Sequence, residues 1–192
     1  MKKEFKKQEG FSLTELLVVL SIFIIVIVII FSIYLTSSKY YQAGEDMAEV
    51  NQNGRVILER IVREIRQARE LVSELPETAG SEIPDSSPSF IEFEDGHREE
   101  QYWYISYFKQ DDEMMREEKR YYFPSDPEEF LPWNASSSEE DLVFTIVEGP
   151  EIIGEYVSDV RFWHTGCVNI FLSLEKNNKK ADLKSKVFGR NL

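Results

Sequence analysis

The sequence predicts an α+β fold in which one long N-terminal helix packs on a mostly antiparallel β-sheet domain. Three patterns along the 192 residues lead to this prediction. An apolar run extends from Phe11 to Leu35, apolar residues at helical spacing continue to Leu75, and after Pro88 apolar residues recur at every second position. We therefore expect a helix with a membrane-spanning half and an amphipathic half, followed by the sheet.

The apolar run is long enough to cross a membrane. It has about 25 residues, or roughly 37 Å of helix at about 1.5 Å per residue, and a bilayer core is about 30 Å thick. The leader from Met1 to Gly10 holds four Lys and two Glu, which places the N-terminus in the cytoplasm. The only charge inside the run is Glu15, which costs about 3 kcal/mol on insertion scales. A plain anchor has no reason to carry this charge, so Glu15 is expected to meet a partner.

The amphipathic half is predicted from residue 39 to residue 75, a stretch without proline. Glu59 and Arg63 stand in the favourable i,i+4 order on the polar face, and Gly54 is the point at which the helix could bend. The apolar stripe consists of Met47, Val50, Ile57, Ile61, Ile65, Ala68 and Val72.

The remaining chain predicts short strands separated by turn-forming residues. Prolines, glycine and serines between residues 76 and 88 form a linker, and residues 111–118 look like a charged hairpin tip. Strands are expected around Ile91 and Phe93 and at 102–108, 119–123, 142–147, 157–164, 168–174 and 183–188. The expected organisation is a leader at 1–10, a transmembrane helix at 11–38, its amphipathic continuation at 39–75 and an extracytoplasmic β-rich domain at 76–192.

The composition limits the possible partners of the β-domain. The net charge is -13, and without the leader 18 basic and 33 acidic side chains remain, a net charge of -15. Such a surface repels phosphate backbones, so direct nucleic-acid binding is not expected. Cys167 is the single cysteine, so no intramolecular disulfide can form and the domain depends on its apolar core.

The segment from Gly10 through Phe11 to Glu15, placed after a basic leader, resembles the signal of type IV pilins and pseudopilins. This resemblance implies that a prepilin peptidase in the membrane cuts between Gly10 and Phe11 and methylates the new amine of Phe11. It also implies that the Glu15 carboxylate pairs with the N-terminal amine of a neighbouring subunit during assembly. Such a pair gains about 4 kcal/mol at about 4 Å and an effective dielectric near 20, comparable with the insertion cost of Glu15.

A second resemblance concerns the class of subunit. The helix segment beginning at Asn53-Gly54-Arg55 looks like that of J-class minor pseudopilins of type II secretion and of W-type minor pilins. The absence of proline between Phe11 and Leu75 and the single cysteine differ from the best-known major pilins. The resemblance implies a minor pilin or pseudopilin that initiates or caps a filament of a type IV pilus, a type II secretion system or a competence pseudopilus.

The same resemblance implies the partners and the location. The expected partners are the prepilin peptidase, other pilin or pseudopilin subunits, the inner-membrane assembly platform and membrane lipid. The protein would cross the bacterial inner membrane once, with its N-terminus in the cytoplasm and its C-terminal domain outside, and then enter the filament.

Two other interpretations remain open. The first is an uncleaved signal anchor whose Glu15 reaches the lipid headgroups, and the second is a membrane-tethered binding module that never assembles. His97, His164 and Cys167 lack the spacing of a metal site or a catalytic pair, so no catalytic residue, cofactor or metal is expected. Acidic loops at 111–113 and 125–129 could bind calcium, but they lack EF-hand spacing.

The predicted cleavage site is testable by substitution of Gly10. We expect Gly10→Val to block processing, because a Cβ would crowd a close-fitting peptidase site. The measurement is the mass of the protein recovered from membranes that contain the peptidase. A Gly10→Val protein trimmed at the normal rate would contradict this prediction.

Overall fold

The fold was obtained as a computed structural model, and it confirms the predicted α+β class. One long helix, α1 (Leu13–Gln67), accompanies two antiparallel sheets. The chain divides into two compact units, residues 1–45 and 46–192. The structure describes residues 12–78, 82–98, 102–138 and 140–189.

The first unit contains the apolar part of α1. Its large apolar side chains between Leu13 and Leu35 are all exposed, so they do not form a core of their own. The backbone here forms helical hydrogen bonds, and the hydroxyl of Ser21 donates to the carbonyl oxygen of Leu17 at 2.8 Å. A segment that satisfies its own polar groups while exposing only apolar side chains is suited to lipid.

In the second unit, α1 buries the predicted stripe. Val50, Ile57, Ile61 and Ile65 are fully buried at helical spacing, as expected for the core face of an amphipathic helix. The prediction was wrong for Met47, which is 40% exposed.

Gly54 has a different role from the predicted one. The helix continues through this residue, which is buried on the stripe. A Cβ there would lie 2.4 Å from Leu183 Cδ1 and 2.8 Å from Leu174 Cδ1. The glycine therefore allows the helix to approach the sheet closely.

The helix ends at Gln67, earlier than the predicted end near Leu75. The chain then runs along a sheet edge, where the amide of Arg69 donates to the carbonyl of Glu94 and the amide of Val72 donates to that of Glu92. Leu71 forms an antiparallel bridge with Phe93. These bonds replace the helical ones, and tertiary pairing therefore overrides the helical pattern of residues 68–75.

The strands form two antiparallel sheets. Within the described residues the strands are β1 (Phe90–Glu94), β2 (Tyr104–Gln110), β3 (Glu113–Phe123), β4 (Asp126–Leu131), β5 (Val143–Gly154), β6 (Val157–His164), β7 (Val168–Lys176) and β8 (Lys179–Val187). β1, β2, β3 and β4 are neighbours in that order in the first sheet, with β5 also paired to β3, and β6, β7 and β8 form the second sheet.

Two parts of the strand prediction were wrong. The predicted hairpin tip at 111–118 is a turn only at Asp111 and Asp112, and β3 begins at Glu113. The polar stretch after residue 123 contains an unpredicted strand, β4. In both places charged residues belong to strands because neighbouring strands satisfy their backbone groups.

The close approach of α1 to β5 makes a stability prediction. A Cβ at Gly154 would lie 2.4 Å from both Cγ1 and Cδ1 of the fully buried Ile57. We expect Gly154→Ala to lower the free energy of unfolding by about 1–3 kcal/mol through overpacking. The measurement is urea unfolding of the full chain in detergent.

The matched control is Gly44→Ala. Gly44 lies on an exposed part of α1 with nothing within 4 Å of a new Cβ. This change should be neutral or raise the free energy of unfolding by up to about 1 kcal/mol. Equal unfolding midpoints for the two variants would argue against the tight contact at Gly154.

Candidate assembly site

The start of α1 is organised by Ser12 and Glu15. The Glu15 Oε2 atom accepts hydrogen bonds from the Ser12 amide at 3.0 Å and from the Ser12 hydroxyl at 3.2 Å. In return, the Glu15 amide donates to Ser12 Oγ at 3.3 Å. Two backbone donors at the helix start are thus satisfied reciprocally, which is the arrangement called a capping box.

The capping box gives Glu15 a partner within its own chain. The sequence analysis expected a partner only in a neighbouring molecule, and it missed Ser12. The signal for Ser12 was present, because a Ser followed three residues later by Glu, just before an apolar run, is the pattern of a capping box. A carboxylate in the first turn also interacts favourably with the helix dipole.

The carboxylate retains capacity for a second partner. An ionised carboxylate offers about four acceptor positions on two oxygens. Within the described residues, the hydrogen bonds to Glu15 all use Oε2. The Oε1 oxygen can therefore accept from an incoming cation while the capping box is intact.

The other predicted residues of this site, Gly10 and Phe11, lie outside the described residues. The helix that follows Glu15 is long and apolar enough to cross a membrane, and none of its most apolar window is buried. An exposed apolar helix differs in this respect from the core helix of a soluble protein.

A second polar cluster joins α1 to β3 inside the second unit. Arg116 on β3 donates through Nε to the Glu64 carboxylate on α1 at 3.0 Å and through Nη2 to Glu118 at 2.7 Å. Arg98 contacts the other oxygen of Glu118 at 2.7 Å, and the Tyr107 hydroxyl donates to Glu64 at 2.6 Å. The side chains of Arg116 and Glu118 are each only 8% exposed.

The pKa shifts in this cluster follow from burial and charge. Burial raises the pKa of Tyr107 above its ordinary value, and the negative charge of Glu64 raises it further. Burial alone would lower the pKa of Arg116, but its bonds to Glu118 and Glu64 outweigh this effect, so the net pKa is raised. Both groups therefore keep their ordinary protonation states at neutral pH.

The sequence analysis missed this cluster. It assigned Arg116 and Glu118 to a charged hairpin tip. The sequence contained a signal that this run is partly buried, namely Met114 and Met115, an apolar pair among charged residues. Both side chains are buried in β3.

The histidines and the cysteine do not form a metal site. Among the described residues, no group of three or more His, Cys, Asp or Glu side chains could hold a metal ion. His164 Nδ1 lies 3.8 Å from Glu77 Oε1, and His97 is exposed. Cys167 is buried, with Sγ 3.7 Å from Thr165 Oγ1.

Comparison with known proteins supports the N-terminal signal. Residues 5–31 match the family model described as the prokaryotic N-terminal methylation motif. No curated protein and no solved structure matched the chain significantly.

The buried cluster makes a prediction about stability. Glu64→Ala removes one partner of a buried guanidinium, and we expect the free energy of unfolding to fall by about 3 kcal/mol. Glu59→Ala is the matched control on the exposed face of the same helix and should change stability by less than about 0.5 kcal/mol. Comparable losses in urea unfolding would mean that the buried ion pair contributes no more than an exposed residue.

The N-terminal geometry and the matched motif lead to one conclusion. The chain carries the prokaryotic N-terminal methylation motif, the signal of type IV pilins, at the start of an apolar helix that fits anchoring in the inner membrane. Such a signal implies processing by a prepilin peptidase and assembly as a pilus-type subunit.

Proposed function

We propose that this protein is a minor pilin or pseudopilin, a structural subunit that helps to initiate or cap a filament. The observation that carries the proposal is the methylation motif at residues 5–31, which includes the exposed apolar start of α1. In this proposal the prepilin peptidase cuts after Gly10 and methylates the amine of Phe11. The product is a structural subunit and not an enzyme.

The role proposed for Glu15 follows from its two oxygens. Oε2 completes the capping box with Ser12, while Oε1 is directed to the N-terminal amine of a neighbouring subunit. The pair would contribute about 4 kcal/mol at contact distance in an environment of intermediate dielectric. This gain offsets the cost of about 3 kcal/mol for placing a carboxylate in lipid.

The proposal also assigns a place to each part of the chain. Residues 1–10 are removed and residues 11–38 cross the inner membrane. Residues 39–75 continue the chain on the outer side of that membrane, and residues 76–192 form the extracytoplasmic domain. The motif-containing helix would meet other subunits and the assembly platform in the membrane. The J-class and W-type resemblance of the segment after Asn53 favours a minor subunit of a type II secretion pseudopilus or a type IV pilus.

Two substitutions separate helix capping from charge pairing. Glu15→Gln keeps an acceptor for the capping box but removes the negative charge. Ser12→Ala removes the capping hydroxyl, at about 1 kcal/mol of helix stability, and keeps the charge. We expect Glu15→Gln to reduce incorporation into filaments about tenfold or more, while Ser12→Ala incorporates nearly normally.

The measurement is the amount of each variant in purified filaments relative to the amount in the membrane. Mass spectrometry of the membrane pool confirms that both variants are cut after Gly10. Normal incorporation of Glu15→Gln would contradict the charge pairing. A wild-type protein that retains Met1 and never co-purifies with filament subunits would instead support the membrane-tethered binding module.

A further inference from the structure

We propose that residues 143–148 of β5 form a docking edge, on which an extended apolar segment of another protein, flanked by Lys or Arg, adds as a further strand. Among the described residues, β5 pairs only with β3. No backbone hydrogen bond outside that ladder reaches residues 143–148 in the described part of the chain. The outer edge therefore presents free donors and acceptors to an added strand.

Residues 143–146 of this edge lack the usual protection against pairing. Natural sheet edges are blocked by Lys, by Pro or by bulges. Residues 143–148 read Val-Phe-Thr-Ile-Val-Glu, which are strong strand formers apart from the final Glu. The register against β3 is regular from Val143 to Ile146, whereas an irregularity at Val147 and then Pro150 interrupt the strand beyond that point.

The edge of the second sheet shows the contrast. β8 also pairs on one side only among the described strands. It carries Lys179, Lys180, Lys184 and Lys186, a composition typical of a protected edge. The β8 edge is thus protected by lysines, whereas residues 143–146 of β5 carry no Lys, no Pro and no register shift.

The open strand also presents an apolar face. Phe144, Ile146 and Ile152 lie opposite Tyr121, Lys119 and Met115 in the ladder, so they share one face of the sheet. Their exposed fractions are 51%, 45% and 51%. Exposed apolar side chains that share one face of a sheet are a feature of interaction sites.

The charge around the strip selects a cationic partner. Between Arg120 and Arg161 the sequence contains ten Asp or Glu residues and no Lys or Arg. Glu148 has no cationic partner within the described residues, because the nearby Lys119 is bound to Glu92 and Arg116 is bound to Glu64 and Glu118. Lys or Arg beside the apolar residues of the partner would complement this field.

The same charges disfavour a second copy of this chain as the occupant. Two β5 edges in contact would bring together two chain segments (121–160) that each carry ten acidic and no basic residues, which is electrostatically unfavourable. The net charge of -13 adds to this repulsion. The occupant is therefore a different protein, and the inference holds whether or not the filament proposal is correct.

The test uses the full chain in detergent and a synthetic peptide. The peptide has a central segment of alternating Val and Thr, with lysines at each of its two ends. We expect the peptide to protect the amides of residues 143–148 from hydrogen exchange. Glu148→Lys should weaken peptide binding about fivefold, since a favourable cross-strand charge pair becomes a repulsive one. Asp85→Lys, an equal charge change at an exposed loop residue, should weaken binding less than about twofold.

Four outcomes would overturn the inference. The first is an absence of protection at residues 143–148. The second is equal protection by the same peptide with glutamates at its ends. The third is equal weakening by Glu148→Lys and Asp85→Lys, which would indicate a general charge effect. The fourth is protection without peptide that grows with protein concentration, which would make a second copy the occupant.

Discussion

The packing of four buried side chains of α1, Val50, Ile57, Ile61 and Ile65, is the contact on which the second unit depends. These residues belong to a single buried apolar cluster that includes Phe93 of the first sheet and residues of the second sheet. No intramolecular disulfide is possible with one cysteine, so the burial of apolar area supplies the main stabilisation. Gly54 and Gly154 let the backbones approach closely enough for these contacts.

The polar cluster around Arg116 adds a constraint of another kind. Taking Arg116, Glu64 and Glu118 out of water is costly, and the cost is offset only when each charge meets its partner in good geometry. The contacts at 2.7–3.0 Å meet that condition. A shift of α1 along β3 would leave a buried charge unpaired, so the cluster holds the helix in one register on the sheet.

At the other end of α1, one carboxylate has two possible uses. The capping box engages Oε2 of Glu15 and leaves Oε1 without a partner among the described residues. Capping lowers the penalty for carrying a charge at the start of an apolar helix, since the carboxylate is already hydrogen-bonded there. The proposed pairing with a neighbouring amine therefore requires no loss of the local structure.

The sequence by itself determined the fold class, the apolar and amphipathic parts of α1 and the methylation motif. These features depend on local periodicity and on a short contiguous signal, which a single sequence displays directly. Val50, Ile57, Ile61 and Ile65 are buried as their spacing predicts. The capping box was equally local and could have been predicted from Ser12 and Glu15.

Only the tertiary structure decided where α1 ends, which charged residues are buried and which sheet edge is open. The backbone of residues 69–73 bonds to β1 because the folded sheet offers it partners, and no local pattern encodes that choice. Arg116 and Glu118 are buried because Glu64 and Arg98 approach them from distant parts of the chain. The outer edge of β5 is unpaired among the described strands because of the strand order. Strand order is a property of the assembled sheet and not of any one segment.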